Sequence, residues 1–309
     1  MALVLTPLAL AVLPIALPPR ADLVAAAAAT NRPAECATGA AEGLWTSARS
    51  PALRRYCLEL SRALARLSED PASAKAAAER AEALAPKRAA PKLILARLAA
   101  AAGDSKAALA RFEAALAIDP RAADAPAAMH DLASSYRRQG KLAEALATYR
   151  ALVPRSSLLR DREQRASVLL EAAQVAMSAP ADQEPRRLDE ALAYLREATR
   201  DPHHALRDDV TLSLVVALDL AGRHARADAV LGEVYAEAWA RHSPAAAYLV
   251  DRRELDLLLG LALEASAASE ARAAYERYLA AAPSAPATAL ARRRLAALTP
   301  RSPTRRGPR

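Results

Sequence analysis

Side chains able to do chemistry are sparse in this chain, and most are spaced wrongly for it. Five His are present, and His203 and His204 stand beside Asp201, with Asp208 and Asp209 a turn further on. Imidazole and carboxylate within one turn could hold a zinc ion. The same residues also make a polar turn at Asp201–Pro202 with two acids at a helix start, where they suit the positive dipole end. The turn is the preferred reading, so no metal is expected. No two Gly stand as GxG, which removes both a phosphate-cradling loop and a dinucleotide turn. There is no HExxH and no GxSxG elbow. Acid–base pairs elsewhere fall at i,i+3 or i,i+4 and read as solvated helix surface. No catalytic residue and no cofactor are expected, and the chain reads as a non-enzyme.

The two cysteines, Cys36 and Cys57, carry a second kind of chemistry, with 20 residues between them. In an oxidising compartment a disulfide would tie the segment Glu35–Trp45 to the helix that follows, stabilising by roughly 3 kcal/mol. Alternatively, Cys57 is a small buried apolar residue beside Leu53, Leu60 and Leu64. Arg32, Pro33, Ala34 and Glu35 before Cys36 lack the small apolar context of a lipid-attachment site. The compartment is suggested by the first residues. Ala2–Leu17 are apolar apart from Thr6, are broken by Pro7 and Pro14, and run into Pro18 and Pro19. That is too short and too rich in Pro for a membrane span of about 20 residues. It reads as the apolar part of a secretory signal, with small-residue cleavage sites at Ala25–Ala29. No Lys or Arg precedes the run, so a cytoplasmic protein with an uncleaved leader is the alternative. Residues 1–30 are thus taken as the signal or leader, and 31–50 as an N-terminal segment. The expected location is periplasmic or secreted, in the cell envelope, with no membrane-spanning segment in the mature chain.

What must position any site is helix. Of 309 residues, 53% are hydrophobic and only 4% aromatic, with eight Gly. Ala, Leu, Glu and Arg dominate, and these are strong helix formers. Runs of β-branched residues are few, which argues against sheet. The 43 basic residues include five Lys, leaving 38 Arg, and the formal net charge is +8. Because Arg is spread throughout, the charge reads as a general bias rather than a polyanion site.

The stretch Pro91–Pro120 sets the pattern. Leu95, Ala96 and Ala99 lie on one helix that stops at Gly103, a residue able to cap in the left-handed conformation. Asp104 and Ser105 can cap the next helix, which carries Ala108, Phe112 and Ala115 and closes at Pro120. Further hairpins follow the same punctuation. One is Pro51–Leu67 with Pro71–Leu84. A third starts near Ala127 and turns at Gly140, with Leu132, Ala133 and Tyr136, then Ala145, Tyr149 and Leu152. The fourth opens with Arg162–Met177, has a longer turn at Ser178–Pro185, then Ala191, Leu195 and Ala198. The fifth turns at Gly222 and extends past Trp239 toward Pro244. The sixth runs from Leu255 to Pro283. Ala285–Leu298 is a lone last helix, with Arg292, Arg293 and Arg294 expected outward, suited to covering the end of a repeat array.

Small residues where helices approach, a bulky ring between pairs and a repeat of about 34 residues resemble the tetratricopeptide (TPR) family. The likeness covers residues 51–298, though no hairpin has the large aromatic often found near the start of its first helix. It implies an all-α, right-handed solenoid of antiparallel hairpins with a C-terminal capping helix. It also implies a concave groove, lined by the first helices, that takes a protein or peptide partner. Carried onto this sequence, the groove positions include Leu93, Arg97, His130, Ser134, Arg137, Arg138, Leu170, Gln174 and Met177. Further along they are Leu212, Val216, Asp219, Arg253, Asp256 and Glu264. Guanidinium groups at Arg97, Arg137 and Arg138 could grip a carboxylate two-pronged. Residues 299–309, with three Pro and four Arg, read as a disordered basic tail. One Phe and two Trp in the chain leave few platforms for stacking bases, which argues against nucleic acid.

Overall fold

The computed structural model describes residue 36 and residues 51–159, 161–179, 186–201, 205–232 and 248–298. The secretory leader, the basic tail, the pair His203–His204 and the extension past Trp239 lie outside these. Among the described residues there are thirteen α-helices and no strand. They are α1 (Pro51–Ala65), α2 (Pro71–Leu84), α3 (Ala89–Ala101), α4 (Ser105–Ile118), α5 (Pro126–Arg138) and α6 (Leu142–Leu152). A 3-10 turn, Val153–Leu158, leads to α7 (Arg162–Ser178), α8 (Arg187–Ala198), α9 (Arg207–Leu220) and α10 (His224–Leu231). The last three are α11 (Glu254–Leu263), α12 (Ala268–Ala281) and α13 (Thr288–Leu298).

The breaks follow from local chemistry. Gly103, Gly140 and Gly222 all have positive φ, near 70–80°. In each turn the amide after the Gly bonds a carbonyl five residues back: Asp104 to Ala99, Lys141 to Tyr136 and Arg223 to Leu218. Three hairpins thus share one Schellman-type closure, which a residue with Cβ would strain. Asp70, Asp104 and Asp161 cap the helices that follow them, accepting from the amides of Ser73, Ala107 and Gln164. Helix α3 begins at Ala89, two residues before Pro91. A Pro in the first turn removes only an amide with no helical partner. The last helix starts at Thr288 rather than Ala285, because Pro286 disfavours a helical conformation at the residue before it.

The packing order explains how short helices bury their apolar sides. Each first helix packs on its own second helix, α1 on α2 through α11 on α12, and each second helix on the next described first helix up to α9. First helices also touch in series: α1 to α3, α3 to α5, α5 to α7, α7 to α9 and α9 to α11. Hydrogen bonds between equivalent places mark the period. Arg97 donates to Asp131 at 2.7 Å, and Gln139 to Ser105 at 2.6 Å, each pair 34 residues apart. The core is correspondingly three apolar clusters in a row rather than one centre. Helix α3 joins two of them, giving Ile94, Leu95 and Leu98 to one and Ala96 to the next. Phe112, Tyr149 and Tyr275 are fully buried on second helices. This is an all-α solenoid of antiparallel hairpins.

At the N-terminal end Cys36 and Cys57 are joined as a disulfide, with Cα atoms 5.7 Å apart. At the other end the arginines of α13 are not all outward. Only Arg292 is exposed. Arg293 pairs with the buried Asp219 of α9, and Arg294 pairs with Asp228 of α10 and, at 3.6 Å, with Glu264. A last helix must be held to the array, and its charged stems do this while its apolar Leu290 is buried.

Candidate functional site

First helices touch in series, and the side they share, the inner face, is built from the helices that carry most of the candidate residues. Arg97 of α3 is committed to Asp131 of α5. Further along, α5 and α7 bring together a buried polar cluster. Its centre is Glu171, the only charged side chain in the run Ala166–Met177. Helix α7 is buried almost all round, so an acid there needs partners. His130 Nε2 lies 3.4 Å from one carboxylate oxygen, and Ser167 Oγ donates to the same oxygen at 3.2 Å. Tyr149 donates to the other at 2.6 Å, and Arg137 Nε stands 3.4 Å from it.

The electrostatics follow from this geometry. Burial by itself would raise the Glu171 carboxyl. The charges of His130 and Arg137 and the Tyr149 hydroxyl outweigh it and hold the acid far below the ordinary carboxylate range. Burial likewise disfavours a charged His130, yet Glu171 and Asp131 hold the imidazole above its usual value. Burial, then the Glu171 charge, pushes the Tyr149 phenol well up, so it remains a donor.

Arg137 therefore differs from its expected role. It is 4% exposed and engaged with Glu171, with Ser134 Oγ and with the backbone carbonyl of Leu249. It cannot also grip an external carboxylate, whereas Arg138, next to it, is exposed. Leu249 and its neighbour Tyr248 are buried in the same apolar cluster as α5, α7 and α9. Burial, and then the facing Asp209 carboxylate, raise the Tyr248 phenol far above its normal range. The middle of the inner face is thus covered by the chain's own Tyr248–Leu249.

The remaining candidates do not join this cluster. Gln174 is buried and donates to Ser213 of α9 at 2.9 Å. Asp219 accepts from His224 at 2.6 Å and anchors the last helix. Arg253 bonds Asp251 at 2.8 Å and the carbonyl of Ala281 at 3.2 Å. Asp256 faces Arg277 of its own hairpin partner at 2.8 Å. Glu171 was missing from the sequence-derived set, although a lone acid in an otherwise uncharged helical run was its signal. Among the described residues no group of His, Cys, Asp and Glu could hold a metal ion, and no helix is long and apolar enough to cross a membrane.

No protein-family model matches the sequence, and no curated protein matches it. Among solved structures, the chain is similar to TTC0263, a thermophilic TPR protein of Thermus thermophilus, at 26% identity and a TM-score of 0.37. The match covers 68% of this chain and 98% of that one. It is also similar to a chain in the structure of Naa15/Naa10 bound to HypK-THB, at 15% identity and a TM-score of 0.35, covering 90% of this chain but 39% of that one. Those TM-scores are too low for a shared overall course, so the fold rests on this chain's own helix order and turns. By those features it is an all-α helical-repeat protein resembling the tetratricopeptide family.

Proposed function

We propose that this chain is a non-enzymatic scaffold that offers the inner face of its N-terminal hairpins to a protein or peptide partner in the cell envelope. The observation that carries the reading is the serial packing of first helices, which brings their neighbouring sides together. Its middle already accepts irregular backbone, since Arg137 donates to the Leu249 carbonyl. The stretch left for a partner is bounded by Leu93, Arg97, Ser134 and Arg138, none of which is buried. Exposed Arg138 favours a segment carrying a carboxylate, since Arg97 is already paired with Asp131. Export is supported by the apolar leader and by the Cys36–Cys57 bridge, a bond that persists in oxidising compartments.

Photo-crosslinking residues at Leu93 and Arg138, with one at the exposed Lys106 as control, test the surface. Partner adducts are expected at the first two positions and absent from the third. Equal labelling at all three would discard the assignment. For location, the mature chain is expected to begin after a residue within Ala21–Ala29 and to carry no free thiol. An intact Met1 with two free thiols would instead favour a cytoplasmic adaptor.

A further inference from the structure

A second site lies away from the N-terminal inner face. The ends of α7 and α9, the start of α11 and the loop between α12 and α13 line a partly open cavity of about 350 Å³. Its walls are mixed, with Met177, Val216, Leu220 and Leu257 supplying apolar surface beside several polar side chains. Its polar groups are unusual in kind. Gln174 is 2% exposed and spends its Nε2 on Ser213, while its Oε1 has no donor among the described residues. The Glu254 carboxylate lines the same space and has no ion-pair partner among the described residues. The cation in the described lining, Arg253, is exposed and already bonded to Asp251 and to the Ala281 carbonyl.

Two unfilled acceptors, one of them an acid, beside the apolar part of a cavity of this size call for a donor-rich cation on a short aliphatic stem. We propose that this cavity binds a primary ammonium carried on a short alkyl chain, with Glu254 pairing its charge and Gln174 Oε1 accepting one of its protons. A free alkylamine and a lysine side chain present the same chemistry. The state of Glu254 agrees with an empty acceptor site. Burial and the neighbouring Asp251 raise its carboxyl to about 7, with Arg253 opposing. The remaining titratable group that feels Glu254 is Tyr278 of α12, pushed up to about 12 and neutral throughout the relevant range.

The test is calorimetric titration of the full chain with n-pentylamine, with n-pentanol as the neutral isostere. An acetylated, amidated Gly-Lys-Gly peptide serves as the second source of the same group. Expected are amine binding at least about tenfold tighter than alcohol binding at pH 8 and a loss of that preference in Glu254→Gln. Weaker amine binding at pH 6, where Glu254 is largely protonated, is expected as well. Glu254→Gln removes a poorly solvated charge, so it should fold, and its circular dichroism and melting curve verify this. Tighter binding of the peptide than of pentylamine would assign the site to a protein lysine, and the reverse to a free amine. Equal binding of amine and alcohol, no binding of any probe, or an unchanged amine affinity in Glu254→Gln would overturn the assignment.

Discussion

The guanidinium of Arg137 donates to the backbone carbonyl of Leu249 at 3.4 Å, across 112 residues of chain. The same side chain faces Glu171, so one residue of α5 ties the acid of α7 to the segment covering the inner face. Arg137→Met should therefore do two things. It should destabilise by about 2–4 kcal/mol by leaving Glu171 short of positive charge in a buried place. It should also speed hydrogen exchange at Tyr248 and Val250 selectively. Combining it with Glu171→Gln should cost less than the sum of the single changes, because the uncompensated charge is then gone. Chemical denaturation of the four proteins checks the cycle, and strict additivity would contradict the pairing.

The cluster also gives stability a pH window. Glu171 has its carboxyl lowered, so its contribution is present above the unfolded value near 4.5 and is lost as pH falls below it. His130 is raised, so its contribution is complete below about 6.5 and is lost as pH rises through its folded value. Glu254 acts the other way from Glu171. With its carboxyl raised to about 7, the folded state loses stability between pH 4.5 and 7 as the unfolded chain releases that proton first. Melting temperatures should thus peak between roughly pH 4.5 and 6.5. Glu254→Gln should gain about 1–3 kcal/mol over wild type at pH 8 and nothing at pH 4. His130→Gln should flatten the alkaline decline.

Close approach within the last hairpin depends on Gly260. A Cβ there would stand 2.5–2.8 Å from ring atoms of Tyr275, whose hydroxyl donates to Glu264 at 2.6 Å. The ring is fully buried and cannot swing aside without losing that bond. Gly260→Ala should gain helix propensity yet still destabilise by about 1–3 kcal/mol, since overpacking outweighs it. Tyr275→Phe in the same background should not restore it, because the clash is with the ring. Thermal denaturation distinguishes these outcomes.

The Cys36–Cys57 bridge packs with Tyr56, Leu60 and Leu98 at the N-terminal end. Replacing both cysteines by Ser should lower stability by about 3 kcal/mol by the loop-closure argument. The loss should concentrate in α1 and α2, which share an apolar cluster with Cys36. Hydrogen exchange resolved by segment, with and without reductant, measures this.

Much of the architecture is written in nearest-neighbour chemistry. Gly103, Gly140 and Gly222 end first helices because a left-handed cap is a local requirement, and Asp104 opens α4 through a bond three residues long. Helix faces at Ala108, Phe112 and Ala115 are likewise legible, since a period of 3.6 residues needs no knowledge of the partner. Helix starts shifted where a Pro acted on its neighbours, as at Pro91 and Pro286. The site was less legible. Arg137 and Arg138 are adjacent and of one type, yet one is buried against Glu171 and Leu249 and the other is exposed. Arg293 and Arg294 read as solvated surface and instead hold α13 to helices more than sixty residues away. In each case the deciding group came from a distant part of the chain. Local sequence sets where helices start, stop and hide their apolar sides; which charges end up paired depends on what the fold brings against them.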